Sequence, residues 1–267
     1  MKLKSIILSI ILLFIFQSLA AQDHRERASF LQNSKVSWVD LSIEAGFNNI
    51  YGNFLHEKWP VRHNVSYSYY GMSTSLYSEA GAFYFGIKPE FVFEEGRYSF
   101  ATGLRYRSIE CQVRNESYNS NYFYLRYDYA GTDTKYARIN GMNESYNLLG
   151  IPLEFKWIPI HFEQIICLYM KVGCEFSIKL SSNVEIDFVN ESMKEHEQEI
   201  LDFVGTKTNS FYSLAYGGLG ASYTTPKGLG IALDVLFPIA LTNNNLALMS
   251  YGNGNTIQFS LQIPLIK

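Results

Sequence analysis

The alternation in residues 148–180 restricts what this chain can become. Leu149, Ile151, Leu153, Phe155 and Trp157 are apolar at every second position, with Gly150, Pro152, Glu154 and Lys156 between them. After a short break the pattern resumes on the other parity. Leu168, Met170, Val172, Cys174, Phe176, Ile178 and Leu180 are apolar, and Lys171, Gly173, Glu175, Ser177 and Lys179 lie between them. A period of two over this length means two strands, each with one apolar face. The opposite face carries whole charges. A soluble sandwich would bury the apolar face and wet the charged one. A membrane barrel would turn the apolar face to lipid and the charged face to its lumen.

The rest of the chain decides between these. Six further alternating runs flank the central pair, giving strands near 38–47, 80–93, 98–107, 211–223, 229–237 and 257–265. Their connections alternate between long segments (48–78, 113–146, 181–209), short turns such as Glu94-Glu95-Gly96-Arg97 and Thr225-Pro226-Lys227-Gly228, and a moderate Asn/Gly-rich loop at 242–255. Long loops at one end and short turns at the other belong to an up-and-down outer-membrane barrel. Outward parity sets Phe93, Tyr98, Trp157 and Tyr223 at the short-turn ends, where a periplasmic aromatic girdle is expected. Two local features interrupt the pattern. Leu214 and Tyr216 are out of phase with Leu219, Ala221 and Tyr223, and the nearby glycines suggest a bulge or bend. Ser192 and Glu195 have capping-box spacing and predict a short helix in the third loop.

The 267 residues carry a formal net charge of −3, which gives no electrostatic argument for nucleic acid. Lys2 and Lys4, the apolar run 6–16 and Ser18-Leu19-Ala20-Ala21 read as an export signal, assigned to residues 1–21 with cleavage after Ala20 or Ala21. Residues 22–36 form a polar periplasmic lead-in, and the barrel domain occupies 37–267. An apolar run of this length falls short of the ~20 residues a spanning helix needs. Three cysteines, Cys111, Cys167 and Cys174, suggest neither a disulfide framework nor a zinc site.

Parity sends Asp40, Glu44, Glu90, Glu154, Glu175 and Asp234 into the lumen, together with Lys88, Arg105, Arg107, Lys156, Lys171 and Lys179. The signs balance. Charges taken out of bulk water persist when paired or hydrated, and an eight-stranded barrel is about wide enough for its own side chains. A packed ionic core is therefore expected, with a narrow ion path as the alternative. No set of His, Ser and Asp has the spacing of a catalytic constellation. His56 and His63 fall in the first loop, and His196 on the loop helix. No enzyme activity, catalytic residue, cofactor or metal is expected.

Several segments resemble the small outer-membrane barrels of Bacteroidetes-type bacteria, including the PorT-like proteins. They are Leu149-Gly150-Ile151-Pro152-Leu153-Glu154-Phe155-Lys156, Tyr169-Met170-Lys171-Val172-Gly173, Tyr216-Gly217-Gly218-Leu219-Gly220 and Gly228-Leu229-Gly230-Ile231-Ala232-Leu233. The final Leu265-Ile266-Lys267 departs from the terminal aromatic common in outer-membrane proteins. The resemblance implies the barrel fold and the cell outer membrane; one branch of that group takes part in secretion. Two functions follow as expectations. One is a non-enzymatic surface scaffold, binding or secretion-accessory protein, a monomer in outer-membrane lipid whose Tyr- and Asn-rich loops suit a protein or glycan partner. The other is a narrow porin or transport protein acting through its polar lumen.

Overall fold

The computed structural model describes residues 36–50, 52–55, 58–59, 61–62, 76–115, 122–127, 135–162, 165–206, 208–226, 228–242, 246–251 and 254–266. The export signal, the lead-in up to residue 35, and His24, His56 and His63 lie outside them. Eight long strands run β1 (Val36–Ile50), β2 (Leu76–Phe93), β3 (Tyr98–Thr102 continuing as Leu104–Asn115), β4 (Tyr136–Phe162), β5 (Ile166–Phe188), β6 (Phe211–Thr224), β7 (Gly230–Thr242) and β8 (Thr256–Ile266). Each pairs antiparallel with the next in sequence, and β8 returns to β1, so that Ile43 lies between Ile87 on β2 and Leu261 on β8. The pairing makes a ring, which leaves no open edge to satisfy within lipid. The chain is a transmembrane β-barrel of the outer-membrane type.

The strands are longer than the sequence pattern suggested. β4 has 27 residues and β5 has 23, against the 9–11 a tilted span requires. Much of the segments read as loops 113–146 and 181–209 is strand: Tyr136 to Tyr146 belongs to β4 and Ser181 to Phe188 to β5. The polarity of the wall reverses along these strands. On β3, Arg105 and Arg107 point inward, and the next inward positions are Ile109, Cys111 and Val113, all buried. The outward series on β3 changes from Leu104 and Tyr106 to Ser108, Glu110 and Gln112. β5 behaves alike: Phe176 and Ile178 face out below, while Val184, Ile186 and Phe188 are buried above and Asn183, Glu185 and Asp187 are exposed. The lower part is built for lipid, and the upper part is an ordinary water-soluble barrel wall with an apolar inside.

Loop segments fill that upper interior. Gly52–Phe54 pairs with Met249–Tyr251, and Val61–Arg62 pairs with Phe123–Arg126, which extends the top of β4. Trp59, Leu246, Ala247, Leu248 and Met249 are buried against Ile109, Met142 and Tyr146. The third loop does contain a helix, a 3-10 turn Glu191–His196 followed by α1 (Glu197–Val204). Its cap differs from the expected box: Asn190 accepts the Ser192 amide at 3.2 Å. The shorter Asn190 side chain, two residues before that amide, reaches it first.

The phase slip in β6 also has a different cause. β6 stays in continuous register with β5 from Phe211 to Tyr223; the irregularity lies against β7, where Ala215 faces Ala240 and Tyr216 faces Pro238. Tyr216 points into the lumen, and the glycines make room for bulky neighbours. A Cβ at Gly220 would fall on the Tyr169 ring and the Asp234 carboxylate, and one at Gly46 on the Tyr84 ring. Gly46→Val is therefore expected to cost about 1–3 kcal/mol or more through overpacking. The measurement is the urea midpoint of the purified barrel in detergent, with gel migration before and after boiling as the check on folding. An unchanged midpoint would show that Tyr84 does not occupy this space.

Candidate functional site

The lumen is the first place where chemistry could reside. Alternation brings one or more polar side chains from every strand to the same level. Lys88 on β2 bridges Glu44 on β1 and Glu154 on β4. Arg105 on β3 donates through Nε to Glu44 at 2.7 Å, and through its terminal nitrogens to Glu154 and Glu175, each at 2.8 Å. Arg107 donates to Glu175 at 2.8 Å, and Lys171 on β5 to Asp234 on β7 at 2.5 Å. Tyrosines complete the set: Tyr216 donates to Glu154 and Tyr169 to Asp234, both at 2.6 Å. Gln258 on β8 donates to Asp234 at 2.9 Å and accepts from Tyr84 at 2.7 Å. Nearer the periplasmic end, Glu90 accepts from Lys156 at 2.8 Å and from Ser99 at 2.6 Å. The Arg105 guanidinium also lies over the Tyr84 ring, 4.6 Å from its centre.

Two of the charges assigned to the lumen by parity stand apart. Asp40 is half-buried near the periplasmic mouth, where it accepts the Trp38 indole N–H at 3.1 Å. Lys179 donates to the Thr208 carbonyl and hydroxyl at 3.1 and 2.9 Å. Tyr169 and Glu144 are polar members that the sequence reading missed. Tyr169 alternates with Lys171, so its parity was visible; Glu144 fell in a segment read as loop.

Such an arrangement is suited to holding strands together. The buried carboxylates accept from cations and hydroxyls on several strands, which leaves them poor general bases. Among the described residues, no group of three or more His, Cys, Asp and Glu side chains is placed to hold a metal ion. A cavity of about 10 Å³ between Tyr84, Arg105, Arg107 and Tyr216 has room for about one water.

Above the ionic layer sits the plug. Glu144, 2% exposed, accepts the backbone N–H groups of Ala247 and Leu248, both at 2.9 Å. Trp59 donates its indole N–H to the Ala247 carbonyl at 2.9 Å, and the Leu55 amide donates to the Leu248 carbonyl at the same distance. The fourth loop is thus held by its main chain. Burial raises the Glu144 pKa, while the two backbone donors and the more distant Lys58 and Lys179 oppose that rise. Cys111 lies across from Glu144 in the β3–β4 register and is buried beneath the plug.

No protein-family model matches this chain, and no curated protein matches it. Solved structures do. Ail, the attachment invasion locus protein of Yersinia pestis, is 8% identical over 85% of this chain and 98% of its own, with a TM-score of 0.29. The transport unit of the autotransporter AIDA-I from Escherichia coli is 10% identical, covering 87% and 91%, with a TM-score of 0.25. The translocator domain of the autotransporter NalP from Neisseria meningitidis is 8% identical, covering 94% and 98%, with a TM-score of 0.25. At such identities and scores, the fold rests on the strand pairing itself.

Two outcomes are expected from this site. Glu154→Ala or Arg105→Ala should destabilise the barrel by about 3–5 kcal/mol, because the orphaned partner stays buried. Urea unfolding in detergent measures this, and a loss well under 1 kcal/mol would mean that water replaces the missing partner. Glu144→Ala should raise maleimide labelling of Cys111 roughly tenfold, as the freed Ala247 and Leu248 amides lose about 1–3 kcal/mol of satisfaction. Replacing Cys167 and Cys174 beforehand isolates the signal. Unchanged labelling would mean that apolar side chains alone hold the loop.

Proposed function

We propose that this protein is a non-conducting, non-enzymatic outer-membrane surface protein, working as a monomer through its outer end. The observation that carries the reading is the packed ionic lumen. Glu44, Lys88, Arg105 and Glu154 meet across the barrel axis within hydrogen-bonding distance, so an ion would have to break several buried pairs to pass. The upper wall and the plugged loops then present the surfaces available to a partner, and a rigid scaffold with exposed connections is a common setting for binding. The segments that resemble PorT-like barrels support a place in that group and, with it, a scaffold or secretion-accessory role.

Single-channel recording of the purified protein in a planar bilayer tests this. No steady unitary current is expected at neutral pH. Stable, reproducible channels in the unmodified protein would overturn the reading and favour a narrow porin acting through the lumen.

A further inference from the structure

The polarity reversal creates a surface that neither the lumen nor the loops account for. Immediately above the apolar band, a cleft of about 1030 Å³ lies on β1 to β5, lined mainly by outward-facing residues and also by Asn48, Ile50, Cys111 and Glu144, which are themselves buried. The strand register fixes its rows. The lowest places Phe47 beside Phe83 and Ser108, and the two rings, both exposed, lie 5.2 Å apart. The next runs Asn49, Gly81, Glu110, Ser145, Asn183 across five strands. Above it come Glu79, Gln112, Asn143 and Glu185, with Gln112 donating to Asn143 at 2.8 Å.

We propose that this cleft binds the neutral saccharide headgroup of a glycolipid standing beside the barrel in the same leaflet. The proposal rests on the membrane placement of the barrel and is independent of whether the lumen conducts. Three observations select this occupant. First, the cleft offers primary amides, hydroxyls and carboxylates in adjacent rows. That mixture of donors and acceptors matches a ring of hydroxyl groups, which both donate and accept, and hydroxyls donating to carboxylates make charge-assisted bonds. Second, its lower edge is aromatic. The negative faces of Phe47 and Phe83 suit the polarised C–H face of a sugar ring. Third, the carboxylates of Glu79, Glu110 and Glu185 disfavour a phosphate or acidic sugar at the same place.

Position chooses the source. The cleft opens sideways from the barrel wall, and its floor starts where the lipid-facing residues end. A headgroup anchored in the neighbouring leaflet arrives at this height with its orientation already restricted, which lowers the entropic cost of binding. Gly81 supplies the floor. A Cβ there would meet nothing nearer than the Asn48 carbonyl oxygen at 4.0 Å, so the centre of the wall is bare backbone against which a flat ring can lie.

The test uses the full barrel in phosphatidylcholine nanodiscs with and without a dihexosyl diacylglycerol, followed by native mass spectrometry of the lipids retained. Preferential retention of the dihexosyl lipid is expected. Gly81→Leu fills the floor without removing any hydrogen-bonding group, and Glu110→Ala removes one acceptor. Each should reduce retention roughly tenfold, equivalent to about 1.4 kcal/mol, while gel migration before boiling stays that of the folded barrel. Equal retention of glycolipid and phosphatidylcholine would overturn the proposal, as would undiminished retention in Gly81→Leu. Preference for phosphatidylglycerol, or free maltose binding as tightly as the lipid-linked sugar, would overturn it too. Channels in the bilayer experiment alongside intact glycolipid retention would remove only the closed-lumen reading.

Discussion

The pairing of charges inside the lumen is the interaction on which everything else in this barrel depends. Lipid takes the apolar face of each strand, so the period of two forces the other face inward, where water is scarce. Lys88, Arg105 and Lys171 are almost completely buried, as are Glu44, Glu154 and Asp234. Isolated, each would cost several kcal/mol; paired and hydrogen-bonded, they are tolerated. Because the partners come from different strands, the network holds all the strands to one register. A one-residue slip of β7 would turn Asp234 towards lipid and strand Lys171, Tyr169 and Gln258 together.

The same strands then meet a different requirement. Past the lipid band, water covers the outside and the interior must be dry. Ile109, Cys111, Val113, Val184, Ile186 and Phe188 fill it from the wall, and Trp59 and Leu246 to Met249 fill it from the loops. This gives the barrel two cores stacked along one axis, ionic below and apolar above. Glu144 stands near their junction. It is a carboxylate in the dry part, and it is satisfied by the main chain of the fourth loop instead of by a cation in direct contact.

For function, the division has a direct consequence. The groups of the lower core already pair with one another. The plug covers the upper core from above. Chemistry still addressed to the surroundings is concentrated on the outside of the upper wall, where exposed amides and carboxylates stand in register across five strands. Tyr106 donating to Asn147 at 2.7 Å, and Asn147 to Ser181 at 3.0 Å, continue this polar ladder down to the lipid boundary.

Local alternation, together with the long and short rhythm of the connections, was enough to determine the class of fold, the lipid-facing parity and most of the inward charges, because side-chain direction in a strand depends only on position along it. That is why Glu154, Lys156, Lys171 and Glu175 could be placed on the inner face from residues 148–180 alone. Strand length was harder to read. Asn183, Glu185 and Asp187 alternate with Val184, Ile186 and Phe188 in a clean period of two, but they follow a slip near Leu180 and have the opposite relation to the membrane. A polar outward face resembles a loop when lipid is the only exterior considered. Which charge meets which, why Gly46 and Gly220 must lack side chains, and that the fourth loop folds back onto Glu144 were decided by the closed ring. These depend on residues far apart in sequence, and only closure brings them within reach of one another.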